Sequence, residues 1–462
     1  MKEKDTGMNL NLKSFLSAIA VVLALMILTY CLTFVIPGGM YERTAEGAIV
    51  SEESFAPVEG GISFVRWILS PVLVLGSDDS VTIIAILIFL LVIGGVFSAA
   101  NSCGMMRYML NSLTAKYGKN RYKLMAVIIL FFMAMGSMIG SFEECVPLVP
   151  IVVALAINLG WDALTGFAMS LMATGCGFSV GVFNPFTVGV AQKLAGLPMF
   201  SGAWFRIMTF VLIYALVLLF TYLHAKKVEK PITAPEIAAF EKDSKLARGT
   251  TIFAVVLGIG IALVLASGLI TALQGYTMII VAIMFLVAGI AATLATGMKG
   301  KALGKTFLDG VVGMLPAILL ILMASSIKFT LVEANILDTI LHEAVGLAQH
   351  MPRWTVILFV YLVVLVMNFF VASGSAEAFM LMPLIVPLAS VFGIPAQLCV
   401  VAFAFGDGFS NLFYPTNPVL LISLGLADIS YGKWSKWSWK FQVVNFLLTS
   451  GLLLFGLWIG YC

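Results

Sequence analysis

Glu143 and Glu144 stand side by side in "GSFEECVPLVP" (140–150), inside an apolar run from 124 to 160. Glu377 sits in "GSAEA" (374–378), inside a second apolar run from 354 to 393, and Asp407 lies in "FGDGFSNLFYPTNP". A carboxylate at bilayer depth costs about 2.5 kcal/mol or more, so such residues mark a site for a cation or a proton. Hydroxyl and amide groups accompany them: Ser141 and Ser375 beside the glutamates, Ser179 and Ser410 in two "GFS" triplets, Asn184 and Thr187 in "NPFT", Thr416 and Asn417 in "PTNP". No Lys, Arg or His occurs between Leu124 and Gln192 or between Thr355 and Gly432. A buried charge needs a counter-charge, and here it must come from the cargo or a coupling ion. An amino acid fits: its ammonium groups face the acids, and its carboxylate meets helix N-termini. A basic amino acid such as arginine, ornithine or lysine neutralises more of the cluster. A dicarboxylate needs sodium or protonated glutamates to overcome repulsion. Asp162 and Asp428, in the same windows, read as solvated residues of end loops.

Apolar elements must hold these groups. Of 462 residues, 61% are hydrophobic and 11% charged, against roughly 25% charged in a soluble domain. Mean hydropathy is +1.07. The chain reads as a polytopic, all-α membrane protein, and its net charge of +3 gives no reason to expect nucleic acid. Six scattered cysteines form no CxxC pair and no disulfide framework. His224, His342 and His350 fall at loop or interfacial positions, which leaves no metal or triad constellation and argues against an enzyme. "GKALGKT" lacks the first glycine of a phosphate-binding loop, since position 299 is lysine, and reads as an interfacial helix.

Spans are expected at about 15–36, 82–99, 204–224, 251–271, 277–296 and 311–327, with a last one ending near Tyr461. The first is too long for a signal-peptide core and lacks a cleavage site, so it is retained. Lys/Arg-rich loops face the cytoplasm. Segment 104–123 therefore lies inside, the acidic segment 41–61 outside, the N-terminus in the cytoplasm and the C-terminus outside, in a multi-pass protein of the plasma (inner) membrane. Six regions follow: scaffold helices of a first half with an interfacial helix (1–123), its hairpin and broken helix (124–200), a span with cytoplasmic linker (201–250), scaffold helices of a second half (251–353), its hairpin and broken helix (354–430), and a last span (431–462).

Landmarks repeat in order. "GSFEE" recurs as "GSAEA" after 234 residues, paired prolines follow each, Gly160 and Gly393 close the two runs, "GFSVGVFNP" recurs as "GFSNLFYPTNP", and "SGAW" is answered by "YGKW". One copy enters its acidic run from a basic loop and the other from an acidic loop, so the repeats are inverted, with the site at their interface. Each run is too long for one span and reads as a re-entrant helical hairpin, its tip near the midplane, where non-helical backbone survives only inside protein or beside a wet cavity. Two full spans with exposed turns is the competing reading. Proline in "FNPFT" and "YPTNP" breaks a helix downstream of each hairpin. Trp434 and Trp437, flanked by lysines, read as interfacial anchors.

"GSFEECVPLVP", "GFSVGVFNPFTVGVAQKLAGL" and "FGDGFSNLFYPTNPVLL" resemble the C4-dicarboxylate anaerobic carrier-like (YfcC-type) family of the ion transporter superfamily. The resemblance covers nearly the whole chain. It implies paired re-entrant hairpins, a homodimer through a scaffold domain, and an elevator movement of a transport domain surrounded by lipid. It also implies that Ser141, Glu143 and Asn184, with Ser375, Glu377 and Asn417, hold substrate and ion, sodium near Asn184 and Asn417 being one candidate and a proton the other. Sodium–dicarboxylate carriers of the superfamily have Ser-Asn-Thr tips, whereas this chain has Ser-Phe-Glu and Ser-Ala-Glu. The expectation is a secondary active transporter, antiporter or symporter, of a small charged metabolite. A basic amino acid leads, a sodium- or proton-coupled C4-dicarboxylate is the alternative, and cation/proton antiport is a further one. Closed hairpins speak against a channel.

Overall fold

Inside a bilayer a backbone must satisfy its own hydrogen bonds, which leaves helices as the way for these apolar runs to fold. The computed structural model describes residues 12–44, 49–77, 80–117, 120–140, 142–198, 200–230, 243–269, 277–348 and 351–462. The first half begins with α1 (Leu12–Leu32) and a short antiparallel pair, β1 (Gly39–Met40) and β2 (Ala56–Pro57), followed by α2 (Phe64–Leu73), α3 (Ser80–Ser102) and α4 (Met105–Tyr117). Next come α5 (Arg121–Ile139), a 3₁₀ turn (Glu143–Leu148) and α6 (Val149–Asn158). Then α7 (Ala163–Phe167) runs through a π turn (Ala168–Met172) into α8 (Ala173–Val180). After a break, a second π turn (Pro185–Gly189) leads to α9 (Val190–Leu194) and α10 (Ala203–Val228).

The second half consists of α11 (Ser244–Leu269), α12 (Thr277–Ala295), α13 (Gly300–Gly313), α14 (Leu315–Glu333), α15 (Leu337–Ala348), α16 (Arg353–Phe370), α17 (Gly374–Val391), α18 (Ala396–Ser410), α19 (Pro418–Leu426) and α20 (Tyr431–Trp458). Among the described residues, seven helices are long and apolar enough to cross a membrane. This is a multi-pass membrane protein. "GKALGKT" lies within α13, as a helix and not a phosphate-binding loop. Both ends of the polar joint at 225–249 are helical, because α10 continues to Val228 and α11 starts at Ser244; residues 231–242 lie outside the described ones.

One segment differs from every other candidate span. An 18-residue apolar window of Ala163–Leu194 is 94% buried, against 28–59% for the corresponding windows of the other candidate spans, so protein and not lipid surrounds most of it. α5 lies along α8, α16 along α18, and α8 and α18 pack on each other. Small residues permit the closest of these approaches: a methyl added to Gly177 would come within 2.0 Å of the Met133 carbonyl oxygen. Around this centre, α11, α12, α3 and α13 pack in sequence, while α1 and α2 lie on α14. Arg121, which opens α5, donates from Nη1 to the Leu159 carbonyl at 2.9 Å, and Arg353, which opens α16, donates from Nη2 to the Gly393 carbonyl at 2.7 Å. The units α5–α6 and α16–α17 therefore each begin and end side by side.

Candidate acid-lined site

Both chain breaks are held open by side chains that replace the helix's own hydrogen bonds. At the first, Val182 N–H donates to Ser137 Oγ at 3.0 Å and Phe183 N–H to the Ser137 carbonyl at 3.0 Å. Asn184 Oδ1 then accepts from Phe186 N (2.9 Å) and Thr187 N (3.3 Å), capping the turn that proline starts. At the second, Asn417 Oδ1 accepts from Leu420 N at 3.1 Å and its Nδ2 donates to Asn411 Oδ1 at 2.7 Å. Asn368, near the end of α16, donates to the Asp407 carbonyl (2.8 Å), Ser410 Oγ (2.5 Å) and Asn411 Oδ1 (2.9 Å), tying that helix to the break.

The two helical turns meet at these breaks. A methyl built on Gly140, which ends α5, would fall 2.3 Å from Asn184 Oδ1. One on Gly374, which opens α17, would fall 2.6 Å from Thr187 Cγ2 and 2.8 Å from Asp407 Oδ2. Both turns thus touch the same four-residue stretch of the first break. The "GFS" triplets also touch, since a methyl on Gly408 would lie 2.3 Å from Ser179 Oγ.

Glu377 and Asp407 are fully buried, at 0% exposure, and stand within each other's electrostatic reach. Among the described residues, none of their four carboxylate oxygens has a partner at hydrogen-bond geometry and no ion pair reaches them; the groups beside them are each other and Asn411. Thr187 Oγ1, Thr416 Oγ1 and Asn368 Oδ1 are likewise buried and unpartnered. Glu143 is half-buried, within electrostatic reach of Asp407, and lines a small cavity with Leu90 of α3 and Ile422 of α19. A cluster of buried oxygens without donors is suited to receiving an ammonium, a guanidinium, a metal cation or a proton.

The other expected residues are placed as follows. Ser141 and the Glu144 side chain lie outside the described residues. Ser375 is half-buried in the first turn of α17. Ser179 Oγ donates to the Gly175 carbonyl at 2.6 Å, and Ser410 Oγ donates to the Gly406 carbonyl at 2.7 Å. The amide oxygens of Asn184 and Asn417 are engaged as helix caps, so the free oxygens beside them are the threonine hydroxyls. Asp428 is exposed, while Asp162 caps α7 and pairs with His224 at 3.1 Å. Trp434 is not an interfacial anchor. It is fully buried, its indole donates to the Leu412 carbonyl at 2.8 Å, and its ring packs on Phe167, because the start of α20 inserts against the second break.

Two residues central to this architecture are not among those the sequence singles out. Asn368 is a lone amide in an apolar run, a signal that was available. Arg206, 1% exposed in α10, donates from Nε (3.3 Å) and Nη2 (3.2 Å) to the Val182 carbonyl and from Nη1 (3.0 Å) to the Ser201 carbonyl. Its place at the start of a span resembled that of an interfacial arginine.

Comparison with known proteins gives this geometry a context. Residues 15–457 match the family model described as C4-dicarboxylate anaerobic carrier. The chain is 29% identical over 411 residues to YfcC of Escherichia coli K12, provisionally named a basic amino acid antiporter, covering 82% of this chain and 79% of that one. An uncharacterized Haemophilus influenzae protein is 25% identical over 397 residues, covering 82% and 76%. Among solved structures, the YdaH transporter of Alcanivorax borkumensis is similar at a TM-score of 0.49 and 17% identity, over 96% of this chain and 99% of that one. MtrF of Neisseria gonorrhoeae, titled as illuminating a class of antimetabolite efflux pumps, is similar at 0.46 and 14%, over 96% and 95%. At those scores the likeness carries no argument.

Proposed function

The chain belongs to the C4-dicarboxylate anaerobic carrier family, a secondary transporter and not an enzyme, and within that class we propose that its cargo is an amino acid with a cationic side chain. One observation carries the proposal: the pair Glu377–Asp407 is fully buried and, among the described residues, no ion pair reaches it. Coulomb energy at about 4 Å and an effective dielectric of about 20 is on the order of 4 kcal/mol per pair of charges. A guanidinium or ammonium entering the cluster gains on that scale, whereas a second anion loses. The provisional name of the 29% relative points to the same cargo class.

Transport is proposed to follow an inverted-repeat elevator. Several features support that reading. α3 packs on α13 as α14 packs on α2, and α5 lies on α8 as α16 lies on α18. The arginine ties at the open ends of α5–α6 and α16–α17 are matched as well. In this reading the turns at 140–145 and 371–377 are hairpin tips at the midplane, the helices of 1–123 and 251–353 form a dimeric scaffold, and the N-terminus faces the cytoplasm. The family description supports a second reading, a C4-dicarboxylate carried together with sodium or protons that neutralise the acids.

Proteoliposomes loaded with unlabelled amino acid separate the readings. Saturable exchange of labelled arginine or ornithine is the expected result. Sodium-stimulated succinate uptake, with no amino acid exchange, would overturn it in favour of the dicarboxylate. Cation exchange driven only by a pH gradient would overturn both.

A further inference from the structure

Pro383 lies inside α17. Proline has no N–H, so it leaves the carbonyl four residues earlier, that of Phe379, without its helical donor. The missing bond is supplied from far away in the chain: Ile49 N–H donates to the Phe379 carbonyl at 3.3 Å. Phe379 is two residues beyond Glu377, so this contact sits within one helical turn of the buried acid. Ile49 is itself 2% exposed and belongs to the main core, although its surroundings in sequence are polar.

The segment carrying Ile49 is firmly anchored on the other side. Val50 N–H donates to the Glu42 carbonyl at 2.9 Å, and Arg43 and Ile49 form an antiparallel bridge, so the two limbs of the loop hold each other. Asp338 of α15 takes Tyr41 N at 3.0 Å on Oδ2 and Arg43 Nη2 at 2.5 Å on Oδ1. Tyr41 Oη meets His342 Nδ1 at 3.0 Å, and Phe55 stacks on that imidazole at 4.0 Å. The loop is thus fixed to α15 and extends to α17.

We propose that the described limbs of the β1–β2 connection, residues 41–44 and 49–55, form a clamp that positions the Glu377-bearing hairpin, with the Ile49 N–H acting on the carbonyl that Pro383 orphans. Ile49 and Asp338 are positioning residues in this account: neither touches the acids, and both set how long α17 stays seated over them. The clamp rests on the reading that Glu377 receives cargo. A hairpin that opens more often binds cargo less tightly without a slower translocation step, so the effect falls on KM.

Hydrogen–deuterium exchange of the full chain in lipid nanodiscs tests it directly. In Ile49→Pro, which removes the N–H, and in Asp338→Asn, which weakens the anchor, amides of 376–382 should exchange about tenfold faster while α8 and α18 are unchanged. Ile49→Val, which keeps the N–H, should match wild type. In arginine exchange, Ile49→Pro and Asp338→Asn should raise KM severalfold with kcat within twofold of wild type. Unchanged exchange at 376–382 in both variants, or an Ile49→Val variant as fast as Ile49→Pro, overturns the clamp. Absence of any arginine or ornithine transport by the wild type would sink the cargo reading alone, because the deuterium readout needs no cargo.

Discussion

At the scale of single residues, what sets Glu377 and Asp407 apart is what they lack. Ser179 and Ser410 also sit at the breaks, but each donates its hydroxyl to a carbonyl one helical turn away and so is satisfied within its own helix. Glu377 and Asp407 have no such recourse. Glu377→Gln and Asp407→Asn keep shape and remove charge, and each is expected to slow exchange at least about a hundredfold while insertion into the membrane stays normal; transport by either at wild-type rate would return the residue to a packing role. Glu143→Gln should follow with about a tenfold loss, since Glu143 faces the α3–α19 seam as well as Asp407. The acids were legible in the sequence because charge at membrane depth is costly enough to be informative. Asn368 was legible only as a lone amide in an apolar run, and Arg206 was not legible at all, because its role depends on a Val182 carbonyl that becomes free only after a distant segment has broken.

At the scale of elements, helix crossings and caps decide the geometry. Gly177 and Gly136 let α5 and α8 approach until backbone meets backbone. Gly177→Ala should therefore lower the thermal unfolding temperature, at a cost of about 1–3 kcal/mol or more, whereas Gly258→Ala, facing open space on α11, should not. The start of α7 offers a pH test. Burial alone would raise the Asp162 pKa, but hydrogen bonds from His224 and Thr165 outweigh it and hold the carboxyl at about 2, below its usual 3.8. A folded-state pKa below the unfolded one means stability that is present above about pH 4 and lost as pH falls toward 2. An acid melt of Asp162→Asn should lack that part of the decline. Asn-Pro pairs made the broken helices readable in advance; the two π turns of the first half left no mark, because an i→i+5 turn has no residue signature comparable to proline's.

At the scale of the whole molecule, the expected topology can be checked with cysteines already present. Cys462 is exposed at the C-terminus and Cys103 lies half-buried in the turn between α3 and α4. With the N-terminus in the cytoplasm, a membrane-impermeant maleimide added to intact cells should label Cys462 and leave Cys103 unlabelled until the membrane is opened. The reverse pattern would invert the orientation. Hydropathy made three of the expected spans readable, 82–99, 204–224 and the last, which coincide with candidate spans among the described residues. The inward placement of Trp434 was not, since lysines on either side of an aromatic look alike whether the ring turns toward lipid or toward protein.

The π turns have one more implication. Two of them, Ala168–Met172 and Pro185–Gly189, occur in the segment Ala163–Leu194, and α18 and α19 contain none. Each inserts a surplus residue into its coil, slack that a helix can pass along its length without unwinding. The two halves therefore differ in their backbone, one carrying two such insertions in its buried segment and the other none in the matching helices. A working cycle that swaps their roles would not retrace itself in reflection: the conformations open to opposite sides of the membrane should differ in shape, and most of that difference should accumulate between residues 163 and 194.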